Sequence, residues 1–146
     1  MIDIHDVLSV VLAIILGGLV GWEREISGKA AGIRTNILIC LGATVFTIIS
    51  SYMAGPEGSL TRIAAQIVSG VGFLGAGAII QDRGGIHGLT TAATIWLVAS
   101  IGMACGARLY MLAILTAVVA FGVLMGLRSF SPESQKPRSN EDNGSI

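Results

Sequence analysis

Carboxylates and basic side chains that could do chemistry gather in two short segments of the 146-residue sequence. The first segment, GWEREISGKAAGIRT, contains Glu23 and Glu25, and the second, QDRGGIHGLTT, contains Asp82. A Mg²⁺ site usually takes one or two carboxylates and keeps several waters, so these three side chains are candidate ligands if the two segments meet. Arg24 and Arg34 could instead neutralise the carboxylates as ion pairs. Both interpretations stay open, and Mg²⁺ is the only cofactor that the residues bring into question.

A second group of polar residues recurs inside the uncharged stretch 35–56. Their spacings of four, four, three and four positions place them on one face of a helix, and we expect that face to point into a bundle. It could form a polar track for a solute, or its side chains could hydrogen-bond to neighbouring helices and to carbonyls of their own helix. The residues are Asn36, Cys40, Thr44, Thr47 and Ser51.

Two further polar groups lie later in the chain. Arg62 and Gln66 are one helical turn apart, and Ser69 lies nearly in line with them. Thr90 and Thr91 follow a glycine-rich segment and precede an apolar run, so they are predicted to cap the N-terminus of a helix. That helix end would bring a positive dipole close to the carboxylates.

These residues must be positioned by helices in a membrane. The chain is 53% hydrophobic and 12% charged, whereas soluble domains carry about 25% charged residues. A helix that crosses a hydrocarbon core of about 30 Å needs about 20 residues, with a lower limit of about 17. The sequence therefore predicts an all-α polytopic membrane bundle of about five transmembrane helices in residues 1–128. The uncharged stretches are Val7–Trp22, Thr35–Pro56, Ile63–Gln81, Gly88–Ala107 and Leu109–Leu127.

The distribution of Lys and Arg predicts the orientation of the bundle, because cytoplasmic segments retain positive charge during insertion. With five spans, the first connector, the third connector and the C-terminal tail share one side and hold most of the nine Lys and Arg residues. The N-terminus is therefore predicted to lie outside and the C-terminus in the cytoplasm. Residues 129–146 are polar and lack apolar periodicity, which predicts a disordered cytoplasmic tail.

Glycines recur within the predicted spans, and two pairs are four positions apart: Gly17 with Gly21, and Gly102 with Gly106. Small residues at this spacing let helix backbones approach closely in a membrane. The pairs could pack helices within one chain or form the interface of a homo-oligomer. The segment 70–75 matches the dinucleotide fingerprint G-x-G-x-x-G, but it lies inside an apolar span and lacks the preceding strand that the fingerprint needs. Nucleotide binding is therefore not predicted.

Several classes of function find no support in the residues. The net charge is zero and the chain has no basic stripe, so no nucleic-acid partner is predicted. Cys40 and Cys105 have no His or Cys neighbour at metal-ligand spacing. His5 and His87 belong to no pairing of a nucleophile with a base. We predict no catalytic residues and no enzymatic activity.

Three motifs occur in order along the chain: E-R-E-x-x-G-K-x-A-G-x-R-T, R-I-A-A-Q-I-x-x-G-x-G-F-L-G-A-G and G-L-T-T-A-A-T-x-W. Together they resemble the membrane domain of the MgtC/SapB family of bacterial membrane proteins, over about residues 7–127. The resemblance implies a bacterial inner-membrane protein connected with magnesium limitation and, in pathogens, with survival inside host cells. It singles out Glu23, Arg24, Glu25, Gly28, Arg34, Asn36, Cys40, Arg62, Gln66, Asp82 and Thr91.

The resemblance implies two functions of different classes. Some family members are labelled magnesium transporters, whereas the better-known virulence factor resembles a regulator that restrains the proton-translocating ATP synthase through its membrane part. That factor also has a C-terminal soluble domain, and here only a polar tail follows Leu127, as in a minimal form. The spans contain no acidic residue near the midplane, where transporter ion sites commonly lie.

We therefore expect a modulator of a membrane partner, with a carrier for Mg²⁺ or another cation as the alternative. The expected partners are the lipid bilayer, a membrane protein such as the ATP synthase and, in a homo-oligomer, other copies of the chain.

Overall fold

The computed structural model describes residues 2–54, 61–82 and 85–127, with residues 61, 62 and 82 described by their backbone alone. The predicted tail, 129–146, lies outside the described residues. Five helices confirm the predicted all-α bundle, and a small antiparallel hairpin joins the third helix to the fourth. The elements are α1 (Ile4–Ile26), α2 (Ile33–Met53), α3 (Thr61–Gly77), β1 (Ile80–Asp82), β2 (Gly85–His87), α4 (Leu89–Gly106) and α5 (Tyr110–Gly126).

The lengths of the helices match a membrane protein. Helices α1, α2 and α4 have 23, 21 and 18 residues, and they are long and apolar enough to cross a membrane by length and composition. Helices α3 and α5 have 17 residues each, close to the lower limit of about 17 for a span. The orientation of the bundle stays a prediction.

Helix α1 continues beyond the uncharged stretch in which we predicted it. The charge pattern assigned Glu23, Arg24 and Glu25 to a connector, and this assignment is wrong because all three belong to α1. Glu23 and Arg24 are hydrogen-bonded to each other, so the pair brings little net charge into the helix. The connector to α2 is thereby reduced to residues 27–32.

Helix α4 lies at the centre of the bundle and packs against α1, α2, α3 and α5. Its residues Val98 and Ile101 are fully buried in a cluster shared with α1, α2 and α5. A second cluster joins Ile95 and Ala99 of α4 to Ala43 of α2 and to the α3 residues Ile67 and Val71. The core therefore has two parts, both of which depend on α4.

The two glycine pairs pack helices within the chain. A Cβ atom on Gly17 would lie 2.8 Å from Cys40 Cβ, and one on Gly21 would lie 2.7 Å from Ile33 Cα. On α4, a Cβ on Gly106 would lie 2.6 Å from the Thr44 carbonyl oxygen. All four glycines, Gly102 included, face α2, so α1 and α4 both approach α2 at backbone distance.

The predicted cap of α4 by Thr90 and Thr91 is wrong. The N-cap is Gly88, which has a left-handed φ of 84° and makes no side-chain cap hydrogen bond. A Cβ atom at Gly88 would overlap the Ala78 carbonyl oxygen, so the turn that leaves the hairpin requires glycine. Both threonines therefore fall inside the first turn of α4, where Thr91 is buried and the Thr90 carbonyl accepts a hydrogen bond from Thr94.

Candidate functional site

Glu23 and Arg24 form a buried ion pair near the end of α1. Glu23 Oε2 accepts a hydrogen bond from Arg24 Nε at 2.6 Å and lies 2.5 Å from Arg24 Nη2 in the ion pair. The Ser27 hydroxyl donates to the other carboxylate oxygen at 2.6 Å. Glu23 is fully buried and Arg24 is only 3% exposed, while Arg24 Nη1 has no hydrogen-bond partner among the described residues. Both oxygens of the Glu23 carboxylate are thus engaged by protein donors.

Glu25 has a different role, because it joins α1 to the start of α2. Its Oε2 accepts the backbone N–H of Ile33 at 2.8 Å, which satisfies one of the free donors at the N-terminus of α2. A Cβ on Gly32 would overlap this carboxylate, and Gly28 ends α1 with a left-handed φ of 65°. These contacts explain why the motif E-R-E-x-x-G-K-x-A-G-x-R-T combines acidic residues with glycines at these positions.

The two predicted metal ligands whose side chains are described, Glu23 and Glu25, do not share a partner. Glu23 is held by Arg24 and Ser27, whereas Glu25 is held by Ile33. Across residues 2–54, 61–82 and 85–127, no group of three His, Cys, Asp or Glu side chains could hold a metal ion. The carboxylate of Asp82 lies outside the described side chains, so the predicted convergence of all three acids stays a prediction.

The polar face of α2 points into the bundle over most of its length, as predicted. Asn36, Cys40 and Thr44 are fully buried. The Thr44 hydroxyl lies 2.8 Å from the Gly102 carbonyl oxygen of α4 and 2.9 Å from the Cys40 carbonyl oxygen. The Asn36 amide nitrogen donates to the Ala31 and Gly32 carbonyls. These contacts agree with the interpretation that the face forms hydrogen bonds inside the bundle. The Thr44 hydroxyl and the Asn36 amide both donate to carbonyls of the protein.

The prediction for Ser51 is wrong, because its side chain is exposed and donates to the Ile48 carbonyl of its own helix. Ser50 takes the buried position instead. The cause is helical drift: fifteen residues exceed four turns of about 3.6 residues, so Ser51 lies about 60° around the helix from Asn36. Thr47 is half-buried and donates to the Ala43 carbonyl.

Two further predicted residues, Arg34 and Gln66, have no contact with the ion pair among the described hydrogen bonds and salt bridges. Arg34 is exposed in the first turn of α2, and Gln66 is exposed on α3. Arg62 lies in the first turn of α3, and its side chain is outside the description. Gln66 and Thr91 line a groove of about 920 Å³ between α2 and α3, whose floor includes Ile95 of α4. No pattern in the sequence predicted this groove.

A network at the opposite end of the bundle was also missed. Arg108, in the turn between α4 and α5, donates to Asp6 at 2.9 Å and to Asp3 at 3.3 Å. Tyr52, at the end of α2, donates to the same Asp6 carboxylate. The hydrogen bond to Asp6 raises the pKa of the Arg108 guanidinium above its ordinary value. The sequence did contain a sign of this network. Five spans place Arg108 of the fourth connector on the same side of the membrane as Asp3 and Asp6 at the N-terminus, so one base and two acids could have been expected to meet there.

Arg108 adopts a left-handed backbone conformation with φ of 62°, which glycine tolerates and arginine does not favour. Replacing Arg108 with glycine or with alanine removes both ion pairs, but only glycine also relieves the strain. We expect Arg108→Ala to melt about 3 °C below Arg108→Gly, measured by circular dichroism on the protein in detergent. Equal melting temperatures would show that the backbone at position 108 is not left-handed.

Comparison with known proteins identifies the family. The MgtC family model matches residues 10–132. Protein MgtC of Brucella abortus is 49% identical over 105 residues, which cover 72% of this chain and 44% of that protein. Protein MgtC of Salmonella typhimurium is 51% identical over 100 residues, 68% of this chain and 42% of that protein.

A third relative, named "Putative magnesium transporter YhiD" in Escherichia coli, is 45% identical over 125 residues, 81% of this chain and 58% of that protein. The chain thus spans about half the length of the curated relatives it matches. No solved structure matches it. The matched region includes the buried ion pair, the polar face of α2 and the whole helical bundle from Val10 onward. This chain is a membrane protein that belongs to the MgtC family.

Proposed function

We propose that this chain is a multi-pass protein of the bacterial inner membrane that modulates a membrane partner and has no enzymatic activity. The partner is linked to magnesium limitation or is the ATP synthase itself. In this proposal the N-terminus lies outside and the C-terminus in the cytoplasm, as the positive-inside rule favours. The modulation takes place by contact within the bilayer and not by passage of a solute through the bundle.

The observation that carries this proposal is the use of the polar face of α2. Thr44 bonds to the Gly102 carbonyl of α4, and the buried Asn36 amide nitrogen bonds to carbonyls of its own segment. Polar groups that hydrogen-bond between helices stabilise a bundle, and the donors of both side chains are used within the protein. No acidic residue lies in the middle of a helix within the described part of the chain, where a carrier commonly holds its ion.

Transport of Mg²⁺ or another cation is the second candidate function. Two observations favour it: the name of the Escherichia coli relative, and the fully buried carboxylate of Glu23, since buried ionisable groups in membranes often mark ion paths. A weakness of this candidate is that Arg24 and Ser27 occupy both Glu23 oxygens.

Flux into sealed vesicles separates the two functions. The purified chain is reconstituted into liposomes that contain a Mg²⁺-sensitive dye, and external Mg²⁺ is added. We expect a dye response equal to that of protein-free liposomes. A response that grows with the amount of protein and is lost in Asp82→Asn would overturn the modulator proposal. Asp82 is the better test position, because replacing Glu23 is expected to disturb folding.

A separate measurement tests whether the chain modulates the ATP synthase. Inverted inner-membrane vesicles are prepared from cells that express the chain and from cells that do not, and ATP-driven acidification of the lumen is followed by a fluorescent dye. We expect slower acidification in the presence of the chain, at equal amounts of ATP synthase. Unchanged acidification would remove the ATP synthase as the partner.

A further inference from the structure

The lining of the groove between α2 and α3 is apolar and open. Leu38 and Phe46 of α2 and Leu74 of α3 line it, and each of these side chains is more than half exposed. A Cβ atom on Gly42 or Gly70, which also line the groove, would meet no heavy atom of the described residues within 4 Å apart from the backbone of its own helix. Apolar cavities do not hold water, so in a bilayer hydrocarbon chains fill this groove.

The dimensions of the groove fit a lipid chain. The lining extends along α2 from Thr35 to Phe46 and along α3 from Ile63 to Gly77, which correspond to about 17 Å and about 21 Å of helix. Another transmembrane helix would cross the whole hydrocarbon core of about 30 Å, whereas an acyl chain of one leaflet crosses about half of it. The volume of about 920 Å³ lies within the range of small-molecule sites, about 300–1,000 Å³.

Positive charge lies at the end of the groove where α2 begins. Arg34 is exposed in the first turn of α2, next to the lining residue Thr35. None of the salt bridges among the described residues involves Arg34. The segment 25–34 contains one acid, Glu25, and two bases, Lys29 and Arg34, so its net charge is positive. Basic residues next to a membrane attract anionic lipid headgroups, and this end of the groove is therefore complementary to one.

We propose that the α2–α3 groove binds an anionic phospholipid, with an acyl chain along the groove and the phosphate against the Arg34 guanidinium. A guanidinium can bind two phosphate oxygens through parallel N–H donors, which selects the headgroup. The chain contacts Leu38, Phe46 and Leu74. In the orientation proposed above, this lipid belongs to the cytoplasmic leaflet. The site does not depend on the proposed modulator function.

Native mass spectrometry of the full chain in a neutral detergent measures the bound lipid. The chain is incubated with equal amounts of dioleoyl phosphatidylglycerol and dioleoyl phosphatidylcholine, which have the same acyl chains. We expect the phosphatidylglycerol complex to be about fivefold more abundant, as for one basic residue beside an anionic lipid, and the two complexes to be equally abundant in Arg34→Gln. No preference in the unchanged chain, or the same preference in Arg34→Gln, would overturn the proposal. Glycerol 3-phosphate should not be retained, and its retention would show that the acyl chain is not needed.

Substitutions that fill the groove test where the acyl chain lies. Gly70→Leu places a side chain in the groove, and Gly122→Leu on α5 is the matched control, because both glycines are exposed and have open space at the Cβ position. We expect Gly70→Leu to lose most of the bound phosphatidylglycerol and Gly122→Leu to retain it. Full retention in a Gly70→Leu chain with an unchanged circular dichroism spectrum would place the lipid elsewhere and refute the site. Gly42→Leu, on the α2 side of the groove, repeats the test if Gly70→Leu does not fold.

Discussion

Replacing Glu23 with alanine is expected to destabilise the folded chain by about 3–5 kcal/mol, the cost of removing one partner of a buried ion pair. The substitution leaves the guanidinium of Arg24 charged, 3% exposed and without its carboxylate. It also removes the acceptor of the Ser27 hydroxyl. A loss of this size is a large part of the total stability of an ordinary domain, so much of the variant should fail to fold.

Glu25→Ala is the matched control, two positions along the same helix. Glu25 is exposed and, within the described part of the chain, accepts one hydrogen bond, from the Ile33 N–H, so its loss should cost about 1 kcal/mol. Unfolding of both variants in a titration from mild detergent into dodecyl sulfate, followed by circular dichroism, gives the comparison. Similar midpoints for the two variants would contradict the burial of the pair.

Removing both members of the pair should do less harm than removing one. In Glu23→Leu with Arg24→Met, no buried charge is left unpaired, and such exchanges are often neutral or stabilising. We expect the double variant to unfold at a higher denaturant concentration than Glu23→Ala. The reverse order would mean that the pair contributes more than the avoidance of a lone charge.

The substitution Gly102→Ala is expected to cost about 3 kcal/mol, at the upper end of the range for overpacking. The added methyl group would lie 2.9 Å from Ala43 Cβ and would overlap the Cys40 carbonyl oxygen. A backbone atom cannot move aside as a flexible side chain can, so α4 must shift away from α2. That shift would also lengthen the hydrogen bond from Thr44 to the Gly102 carbonyl.

Replacing Gly122 with alanine should instead stabilise the chain. Apart from the adjacent backbone of its own helix, no heavy atom of the described residues lies within 4 Å of a Cβ at Gly122. Alanine favours a helix over glycine by up to about 1 kcal/mol. Unfolding midpoints measured in detergent for Gly102→Ala and Gly122→Ala should therefore lie on opposite sides of the midpoint of the unchanged chain. If both variants were more stable than it, the close approach of α4 to α2 would be refuted.

Helix number and the inward face of α2 were predictable because each depends on a local pattern. Uncharged stretches near span length mark the helices, and polar residues at helical spacing mark a face. The end of α1 was not predictable from the same rule, because Glu23 and Arg24 neutralise each other inside the helix. The start of α4 was missed because the left-handed turn at Gly88, and not a threonine hydroxyl, ends the hairpin.

The candidate site was predictable only in its parts. Burial of Asn36, Cys40 and Thr44 followed from their spacing, whereas the engagement of Glu25 with Ile33 depends on the path of the connector. The network of Arg108 with Asp3 and Asp6 joins residues more than a hundred positions apart. Contacts between residues so far apart in the sequence depend on how the helices pack. They cannot be predicted from a periodic pattern within one helix.

The central position of α4 has a consequence for the order in which the protein is made. Helices α1 and α2 can associate as soon as both have left the ribosome, because Gly17 and Gly21 pack directly against α2. Helix α3 follows them in the chain, but it packs mainly on α4, which is synthesised later. We therefore expect newly made α3 to stay loosely packed beside the α1–α2 pair until α4 is inserted. Assembly of the bundle is then completed late in translation.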